Sequence, residues 1–418
     1  MNQQFDMVII GGGLVGASLA CALANSSLKI ALVESQLPLA PFDAPVHVTD
    51  VDQRVSALNR ASETFLKALG VWQDLPAARV SPYHKMRIWD GVGTGHIQFD
   101  AMELAEEHLG HIVENRVTAQ ALMHKVQQAA NVQLFAPQTV QKLASQEFAS
   151  QTVQTPASQD ATAQRYLVHL TDGQVLASPL LVAADGARSL VRQWAEFETR
   201  EWDYQHHGLV CTVQTSIVHE QCCWQRFTAS GVLAFLPLAH DKLCSIVWSC
   251  PEAEAQTLLS LDAEDFNLAL EKAFEGKLGK IVASGPRAAI PLRQRHAKTY
   301  VKDGIVLVGD AAHTIHPLAG QGVNLGLMDA YVLSDEIKQG LARGLAAHEP
   351  LLLARFERRR MPHNLSMMAT MESFKRLFAV KSPVLRWARN WGMSKVNKLG
   401  FVKRHIVMQA MGLERKIK

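Results

Sequence analysis

The chain of 418 residues has a mass of 46.1 kDa, and 48% of its residues are hydrophobic while 19% are charged. This length favours two or three domains over one, and the composition excludes a disordered, collagen-like or coiled-coil protein. The net charge of +3 is unevenly distributed. Residues 361–418 contain 12 Lys and Arg against 2 acidic residues, a charge of +10, which leaves −7 for the rest of the chain.

Two features of the sequence bear on its compartment. Residues 7–28 form an uncharged stretch long enough to cross a membrane. Glycines interrupt this stretch and no basic residue precedes it, so a buried strand followed by a buried helix is the better interpretation. The cysteines form no Cys-x-x-Cys pair, which favours reduced thiols and a cytoplasmic protein over a zinc or redox site. They are Cys21, Cys211, Cys222, Cys223, Cys244 and Cys250.

The N-terminal segment has the pattern of a dinucleotide-binding unit. An apolar run at 7–10 predicts a strand, which leads through a glycine-rich turn into a helix, and a second apolar strand at 29–33 ends on Glu34. Strand, turn, helix, strand and acid fall within about 30 residues, as in a unit that binds pyrophosphate at the helix N-terminus and ribose at the acid. Helix packing is the alternative role for the glycines. Three glycines have the GxGxxG spacing. Gly11 would permit the tight turn, Gly13 the approach of the pyrophosphate, and Gly16 the close packing of helix and strand.

Two later apolar runs each end at a glycine and an acid, and a glycine loop follows the second of them. The run at 180–184 breaks at Asp185-Gly186, which by itself could be an ordinary turn. The run at 305–308 ends at Gly309-Asp310, and a glycine loop at 316–326 then opens a helix predicted to reach Leu341. One dinucleotide fold is predicted, and these segments decide which ligand it holds.

Together the segments resemble the flavoprotein aromatic hydroxylases of the para-hydroxybenzoate hydroxylase type. Asp185-Gly186 is similar to that family's DG motif and Gly309-Asp310 to its second FAD motif. The sequence HPLAGQGVNLGLMD at 316–329 is similar to the signature of its ubiquinone-biosynthesis branch, and DQRVSAL at 52–58 to a further branch motif. The resemblance extends from Phe5 to about Arg360.

Shorter stretches resemble one member of the branch, which hydroxylates a 2-polyprenylphenol at ring position C5 to a catechol. Sister enzymes that act at C1 or C6 share the general motifs and stay open as alternatives, as does a non-catalytic flavin-holding scaffold of a ubiquinone assembly. A flavin halogenase is a further alternative, but its Trp-x-Trp motif is absent. The stretches are LGVWQD at 69–74, LGHIVEN at 109–115, WDYQHH at 202–207, LCSIVWS at 243–249 and QAMGL at 409–413.

The resemblance implies an α/β (α+β) fold, with a Rossmann-like FAD-binding domain, an interleaved mixed-sheet substrate domain and a helical tail. It also implies a monooxygenase that uses FAD, NADPH or NADH, and O2 through a C4a-hydroperoxyflavin. The expected division is 1–76, 114–195 and 300–360 for the FAD-binding domain, 77–113 and 196–299 for the substrate-binding domain, and 361–418 for the tail.

Each motif residue has an expected role toward FAD. Arg54 offers a forked donor to the pyrophosphate, with a surface salt bridge as its alternative role. Asp310 would hold the ribityl chain, and Asp185 would lie near both FAD and the path of NADPH. The loop at 316–322 would stiffen against the flavin and turn amides toward its C2 carbonyl. The expected cofactor-binding set is Gly11, Gly13, Gly16, Glu34, Arg54, Asp185, Gly186, Asp310, Pro317, Gly320, Gly322 and Asn324, with Pro317, Gly320 and Gly322 beside the flavin ring.

Some assignments stay open at this level. Arg188 and Arg192 are either phosphate contacts or a solvated helix start. No metal is expected, and no base for the phenol is nominated. The candidates by residue type alone are His206, His207, His313 and His316.

The basic tail at 361–418 has two interpretations. It is a helical cap packed on the FAD-binding domain, or a basic amphipathic surface for anionic membrane or for proteins of a ubiquinone-biosynthesis complex. A polyprenylated phenol is nearly insoluble in water, which favours a route from the membrane to the site. We therefore expect a cytoplasmic protein with peripheral membrane association and no nucleic-acid partner. A homo-oligomer is left open.

Overall fold

The computed structural model describes residues 2–36, 42–148, 163–228, 230–314, 322–379 and 382–412. The strands are β1 (Gln3–Gln4), β2 (Met7–Ile10), β3 (Ile30–Val33), β4 (Val55–Asn59), β5 (Val80–Tyr83), β6 (Lys85–Asp90), β7 (His96–Asp100), β8 (Gly110–Glu114), β9 (Val132–Phe135), β10 (Val140–Phe148), β11 (Ala163–Leu170), β12 (Val175–Ser178), β13 (Leu181–Ala183), β14 (Thr199–Thr215), β15 (Cys222–Phe227), β16 (Val232–Pro237), β17 (Leu243–Pro251), β18 (Ile281–Ser284), β19 (Ala288–Ala297), β20 (Val301–Lys302), β21 (Ile305–Leu307) and β22 (His313–Thr314). The helices are α1 (Leu14–Ala22), α2 (Arg60–Ala68), α3 (Asn115–Gln127), α4 (Leu190–Trp194), α5 (Glu252–Ser260), α6 (Ala263–Ala273), α7 (Gly322–Leu341), α8 (Pro350–Ala379), α9 (Pro383–Lys398) and α10 (Gly400–Ala410).

A six-stranded sheet carries the predicted dinucleotide unit, in the order β20-β21-β13-β2-β3-β9. All but the edge strand β20 run parallel, with Ile9 opposite Leu32 and Val182 opposite both Ile9 and Val306. Every residue of β2, β3, β13 and β21 is buried. Helix α1 contacts β2 and β3, and the small sheet of β10, β11 and β12 belongs to the same hydrophobic core and contacts β2 through β12. The predicted order of strand, glycine turn, helix and strand is thereby confirmed.

A nine-stranded mixed sheet forms the second large layer. Its order is β22-β19-β14-β17-β16-β15-β6-β7, with β18 paired to β14, and it is antiparallel except for the parallel pair β15 and β6. Helices α5 and α6 cover one face, where Phe266, Leu270 and Phe274 are buried with Phe235. The mixed sheet expected from the resemblance is therefore present.

Two smaller sheets complete the described fold. β10, β11 and β12 form an antiparallel set, and β1 pairs in parallel with β12. β8 lies between β4 and β5. All six cysteines are buried and unbridged, as predicted.

The C-terminal helices pack on the hairpin of β6 and β7. Helix α8 is continuous across position 361, where the tail was predicted to begin. Phe378, at its end, stacks on Phe227 with ring centroids 3.6 Å apart. Asn390 of α9 accepts from the backbone N–H of Gly95, and Asn397 from that of Gln98. Within the described residues, we find no helix with the length and hydropathy needed to span a bilayer.

Candidate FAD site

A cleft of about 370 Å³ opens where β2, β13 and β21 end. These neighbouring parallel strands place the residues that follow them along one edge of the sheet, where such folds bind ligands. The cleft brings together six of the predicted cofactor residues from five separate parts of the chain. They are Gly13, Glu34, Arg54, Gly186, Asp310 and Gly322.

The turn after β2 needs glycine for two reasons. At Gly11 and Gly16 a side chain would overlap the backbone, and at Gly13 it would occupy the cleft. Gly11 has a φ of +101°, and a Cβ there would lie 2.3 Å from the carbonyl oxygen of Ala184. A Cβ on Gly16 would lie 1.9 Å from the carbonyl oxygen of Gly11. A Cβ on Gly13 would meet no atom within 4 Å, because this residue faces the cleft at the N-terminus of α1. The space at Gly13 therefore suits a ligand group rather than a protein contact.

Glu34 lies at the cleft with its carboxylate partly used by the protein. One oxygen, Oε2, accepts the backbone N–H of Gly12 at 2.7 Å. The other, Oε1, accepts from the Ser35 hydroxyl and the Gln36 backbone N–H, each at 2.9 Å. Because an ionised carboxylate has about four acceptor positions, Glu34 keeps capacity for a ribose hydroxyl.

Arg54 and Asp310 line the cleft near one another. No carboxylate of the described residues lies within salt-bridge distance of Arg54, which does not favour the surface salt bridge. The surrounding protein raises the pKa of Asp310, an effect that the charges of His313 and Arg54 partly oppose. Asp310 itself is exposed to the cleft, so both side chains are available to a bound group.

Asp185 uses one of its two carboxylate oxygens to cap a helix. Oδ2 accepts the backbone N–H groups of Leu190 at 2.8 Å and Val191 at 3.3 Å, and so caps α4. Oδ1 is buried and has no hydrogen-bond partner among the described residues. Burial raises the pKa of Asp185, and the hydrogen bond from Ser189 partly opposes this. This buried acceptor is available to a partner other than the described residues.

Arg192 corrects one of its two expected roles, the solvated helix start, while its contact with a phosphate stays a prediction. It is only 4% exposed, so it is not a solvated helix start. Its guanidinium donates to the carbonyl oxygens of Ala311 at 2.9 Å and Ala187 at 2.8 Å. Arg192 thus ties the Asp185-Gly186 turn to the Gly309-Asp310 turn within the protein.

A buried carboxylate, Asp329 of α7, organises the turn that carries Asp310. It accepts from the backbone N–H of Gly309 at 3.0 Å, from His313 Nε2 at 2.5 Å, from Arg360 Nε at 2.7 Å and from Asn364 Nδ2 at 3.2 Å. Burial alone would raise the pKa of Asp329, but His313 and Arg360 hold it well below its usual value. Asp329 is the last residue of the motif at 316–329 and the one charge in an apolar helix start. The motif alone does not predict its role.

Of the remaining predicted residues, Asn324 is described by the structure and the others are not. Asn324 is buried, where it accepts from the Asn59 backbone N–H at 3.0 Å and donates to the Ala57 carbonyl at 2.8 Å. It holds the start of α7 to β4, so its contact with a cofactor stays a prediction that these bonds do not favour. Pro317 and Gly320 lie outside the described residues, as does His316.

The other candidate histidines do not converge on the cleft. His206 on β14 contacts the carbonyl oxygens of Tyr204 at 2.6 Å and Ser230 at 3.0 Å. His207 on the same strand has a buried Nδ1 without a partner among the described residues. His313 is paired with Asp329. The base for the phenol is therefore still unassigned.

A separate buried cluster joins Glu63, His108 and His111, whose side-chain ligand atoms lie within 4.8 Å of one another. Arg60 contacts the Glu63 carboxylate at 2.8 Å and Lys67 contacts it at 2.6 Å. Burial would raise the pKa of Glu63, yet hydrogen bonds from His108 and Lys67 lower it to about 2. Because two cations already neutralise this carboxylate, a metal ion would have to displace them.

Comparison with known proteins assigns the chain to a family. The FAD binding domain family matches residues 4–369. The 3-demethoxyubiquinol 3-hydroxylase of Escherichia coli is 36% identical over 99% of this chain and 100% of its own length. The chain is an FAD-dependent monooxygenase of the ubiquinone-hydroxylase family.

Other relatives and solved structures agree with this assignment. A ubiquinone hydroxylase of Rhodospirillum rubrum is 34% identical, covering 98% of this chain and 90% of that protein. The ubiquinone biosynthesis monooxygenase COQ6 of Xenopus tropicalis is 32% identical, covering 96% and 92%. The crystal structure of p-nitrophenol 4-monooxygenase from Pseudomonas putida superposes with a TM-score of 0.78 at 17% identity over the full length of both chains. That likeness confirms the fold of a flavin monooxygenase.

Proposed function

We propose that this enzyme hydroxylates the aromatic ring of a polyprenylated phenol in ubiquinone biosynthesis, using FAD, O2 and NADPH or NADH. The observation that carries the proposal is the sequence similarity to ubiquinone hydroxylases over nearly the whole chain, together with a cleft that brings the motif residues together. When bound, FAD supplies the redox and oxygen chemistry, and the protein supplies position, charge and exclusion of water.

Each residue of the cleft would act on FAD through a contact that its geometry permits. The N-terminus of α1 and the open space at Gly13 would receive the pyrophosphate, and Arg54 would donate to it. Glu34 would accept from the adenosine ribose and Asp310 from the ribityl chain. The unpaired oxygen of Asp185 would accept from FAD or from the approaching nicotinamide cofactor.

The domain division is part of this proposal. The FAD-binding domain would consist of 1–76, 114–195 and 300–360, and the substrate-binding domain of 77–113 and 196–299. The supporting observation is that β6, β7 and β14 to β19 belong to the nine-stranded sheet, whereas β2, β3, β13 and β21 belong to the parallel one. β5 instead pairs with β8, and β22 joins the nine-stranded sheet from the FAD side.

Two ring positions compete for the reaction. The first candidate is C5 of a 2-polyprenylphenol, supported by the short stretches such as LGVWQD and WDYQHH. The second is a position on which a sister enzyme acts, C1 or C6, supported by the name of the Escherichia coli relative, 3-demethoxyubiquinol 3-hydroxylase. These substrates differ in how many oxygens the ring already carries.

Product analysis with the purified holoenzyme would test both candidates. The enzyme would be supplied with NADPH, ¹⁸O2 and either a 2-polyprenylphenol or a 3-demethoxyubiquinol, and the products would be examined by mass spectrometry. We expect one ¹⁸O atom in a single product from the first substrate. Labelled product from the second substrate alone would reassign the ring position. Flavin reduction without labelled product from either would support the scaffold alternative and refute the proposal.

A further inference from the structure

Helices α9 and α10 each expose at least one large apolar side chain and a basic side chain. The apolar members are 56–76% exposed, although they are large side chains. On α9 they recur at intervals of three and four residues, and so lie along one side of the helix. We call these exposed side chains of the two helices together the tail surface. It consists of Val384, Trp387, Trp391, Lys395, Phe401 and Arg404.

The opposite side of the same helices is fixed to the body of the protein. Arg389 of α9 is buried in an ion pair with Asp90 of β6. Arg389 also donates to the carbonyl oxygen of Phe378 at 3.1 Å. Lys403 of α10 is paired with Glu103. Because these contacts set the rotation of the helices, the tail surface is exposed by a packed structure rather than by a loose segment.

The chemistry of the tail surface suits the headgroup level of a bilayer. The rings of Trp387 and Trp391 lie 6.5 Å apart between centroids, with an angle of 18° between their planes. Lys395 Nζ lies 5.4 Å from the ring centroid of Trp391. Tryptophan has an apolar body and a polar N–H, which favours the boundary between lipid tails and water. Cations beside such rings would meet the phosphates of the lipids.

The charge of the segment indicates which partner fits. Residues 383–410 contain six Lys and Arg and no acidic residue. A second copy of this chain would bring the same positive surface against itself, and the repulsion would oppose that contact. An anionic lipid surface offers complementary charge and apolar depth together.

We propose that the tail surface docks the enzyme on an anionic lipid bilayer. The inference rests on the proposed function for its purpose, because a polyprenylated phenol is held in lipid. The binding itself requires no turnover, so docking and catalysis can fail independently. The contact is interfacial: the apolar side chains enter the headgroup region, while Lys395 and Arg404 face the phosphates.

Co-sedimentation of the full-length holoenzyme with vesicles would test the proposal. Vesicles of phosphatidylcholine alone would be compared with vesicles containing phosphatidylglycerol, at low and high salt. We expect binding to the anionic vesicles alone, weakened by salt because charges are screened. Reversing Lys395 and Arg404 to Glu should weaken partitioning at least about 30-fold, since each cation near the surface contributes about 1 kcal/mol, or about fivefold.

A second variant and a matched control separate docking from folding. Trp387→Ser with Trp391→Ser should lose vesicle binding, whereas Leu268→Ser, an apolar residue of α6 that is 65% exposed, should not. All variants should keep FAD and should hydroxylate a short-chain phenol in solution at the wild-type rate. Equal sedimentation of wild type and both tail variants would overturn the proposal. So would wild-type protein that binds no vesicles but forms a dimer that the Trp variant abolishes.

Discussion

Removing the carboxylate of Asp329 should destabilise the protein more than removing any paired carboxylate on its surface. Asp329 is fully buried and is paired with Arg360, which is itself only 5% exposed. Asp329→Ala would leave that guanidinium without its counter-charge, at a cost of about 3–5 kcal/mol. Because a domain is stabilised by only about 5–15 kcal/mol, this is a large fraction of the total. The backbone N–H of Gly309 and the ring of His313 would also lose their acceptor.

The matched control is Asp335→Ala on the same helix. Asp335 is paired with Arg359 at 2.7 Å, but its side chain is 30% exposed and that of Arg359 is 36% exposed. Such a partly solvated pair is worth about 0–1 kcal/mol. Urea unfolding of the two apoproteins therefore should separate them clearly.

The second measurement is FAD affinity, by recovery of flavin fluorescence on dilution. Asp329 holds the turn that presents Asp310 to the cleft, so Asp329→Ala should weaken FAD binding at least about tenfold, while Asp335→Ala should not. If Asp329→Ala unfolds at the same urea concentration as Asp335→Ala and binds FAD equally well, the role assigned to this buried network is wrong.

Three further predictions concern the cleft and the histidine cluster. Gly13→Val should give folded protein without FAD, because a side chain at Gly13 meets no protein atom but occupies the cleft. Gly16→Val should not fold, since its Cβ would overlap the backbone. Flavin content and circular dichroism would check both variants, and a Gly13→Val protein with full FAD would refute the placing of the pyrophosphate at Gly13. Asp310→Ala should weaken FAD binding, and Asp185→Ala should in addition slow reduction by NADPH in stopped flow; reduction of the Asp185 variant at the wild-type rate would contradict its shared role. Burial lowers the pKa of His111 to about 4, whereas an unfolded histidine titrates near 6.5. Between those pH values the unfolded state binds more protons, so the free energy of unfolding should fall as the pH drops from about 6.5 to 4, by up to about 1.4 kcal/mol per pH unit. Urea midpoints measured across this range should depend less steeply on pH for His111→Gln than for the wild type. An equally steep dependence would count against a buried, neutral His111.

The local part of the nucleotide site could be predicted from the amino-acid sequence. The strand, glycine turn, helix and second strand are neighbours in the chain, so spacing and hydropathy were enough to predict β2, α1 and β3 and to place Glu34 after them. The steric need for Gly16 is local as well, because its Cβ would overlap the carbonyl oxygen of Gly11 in the same turn, whereas the atom that a Cβ on Gly11 would meet belongs to Ala184, a residue distant in the chain.

Which distant residues share the cleft depends on the pairing of strands that are far apart in the chain. Gly186 and Asp310 line the same cleft because β13 and β21 pair in parallel, a register that no local pattern contains. The same holds for Arg192, whose burial depends on carbonyl groups of two separate turns.

The tail shows the same division most clearly. Its charge and its tryptophans could be read from composition and helical periodicity, because these depend on the segment alone. Which side of α9 is exposed could not be predicted from the sequence, because it depends on contacts with residues about 300 positions earlier, such as the pair of Arg389 with Asp90. Helical periodicity defines the sides of a helix, but the partner that covers one of them is selected by the packing of the whole chain.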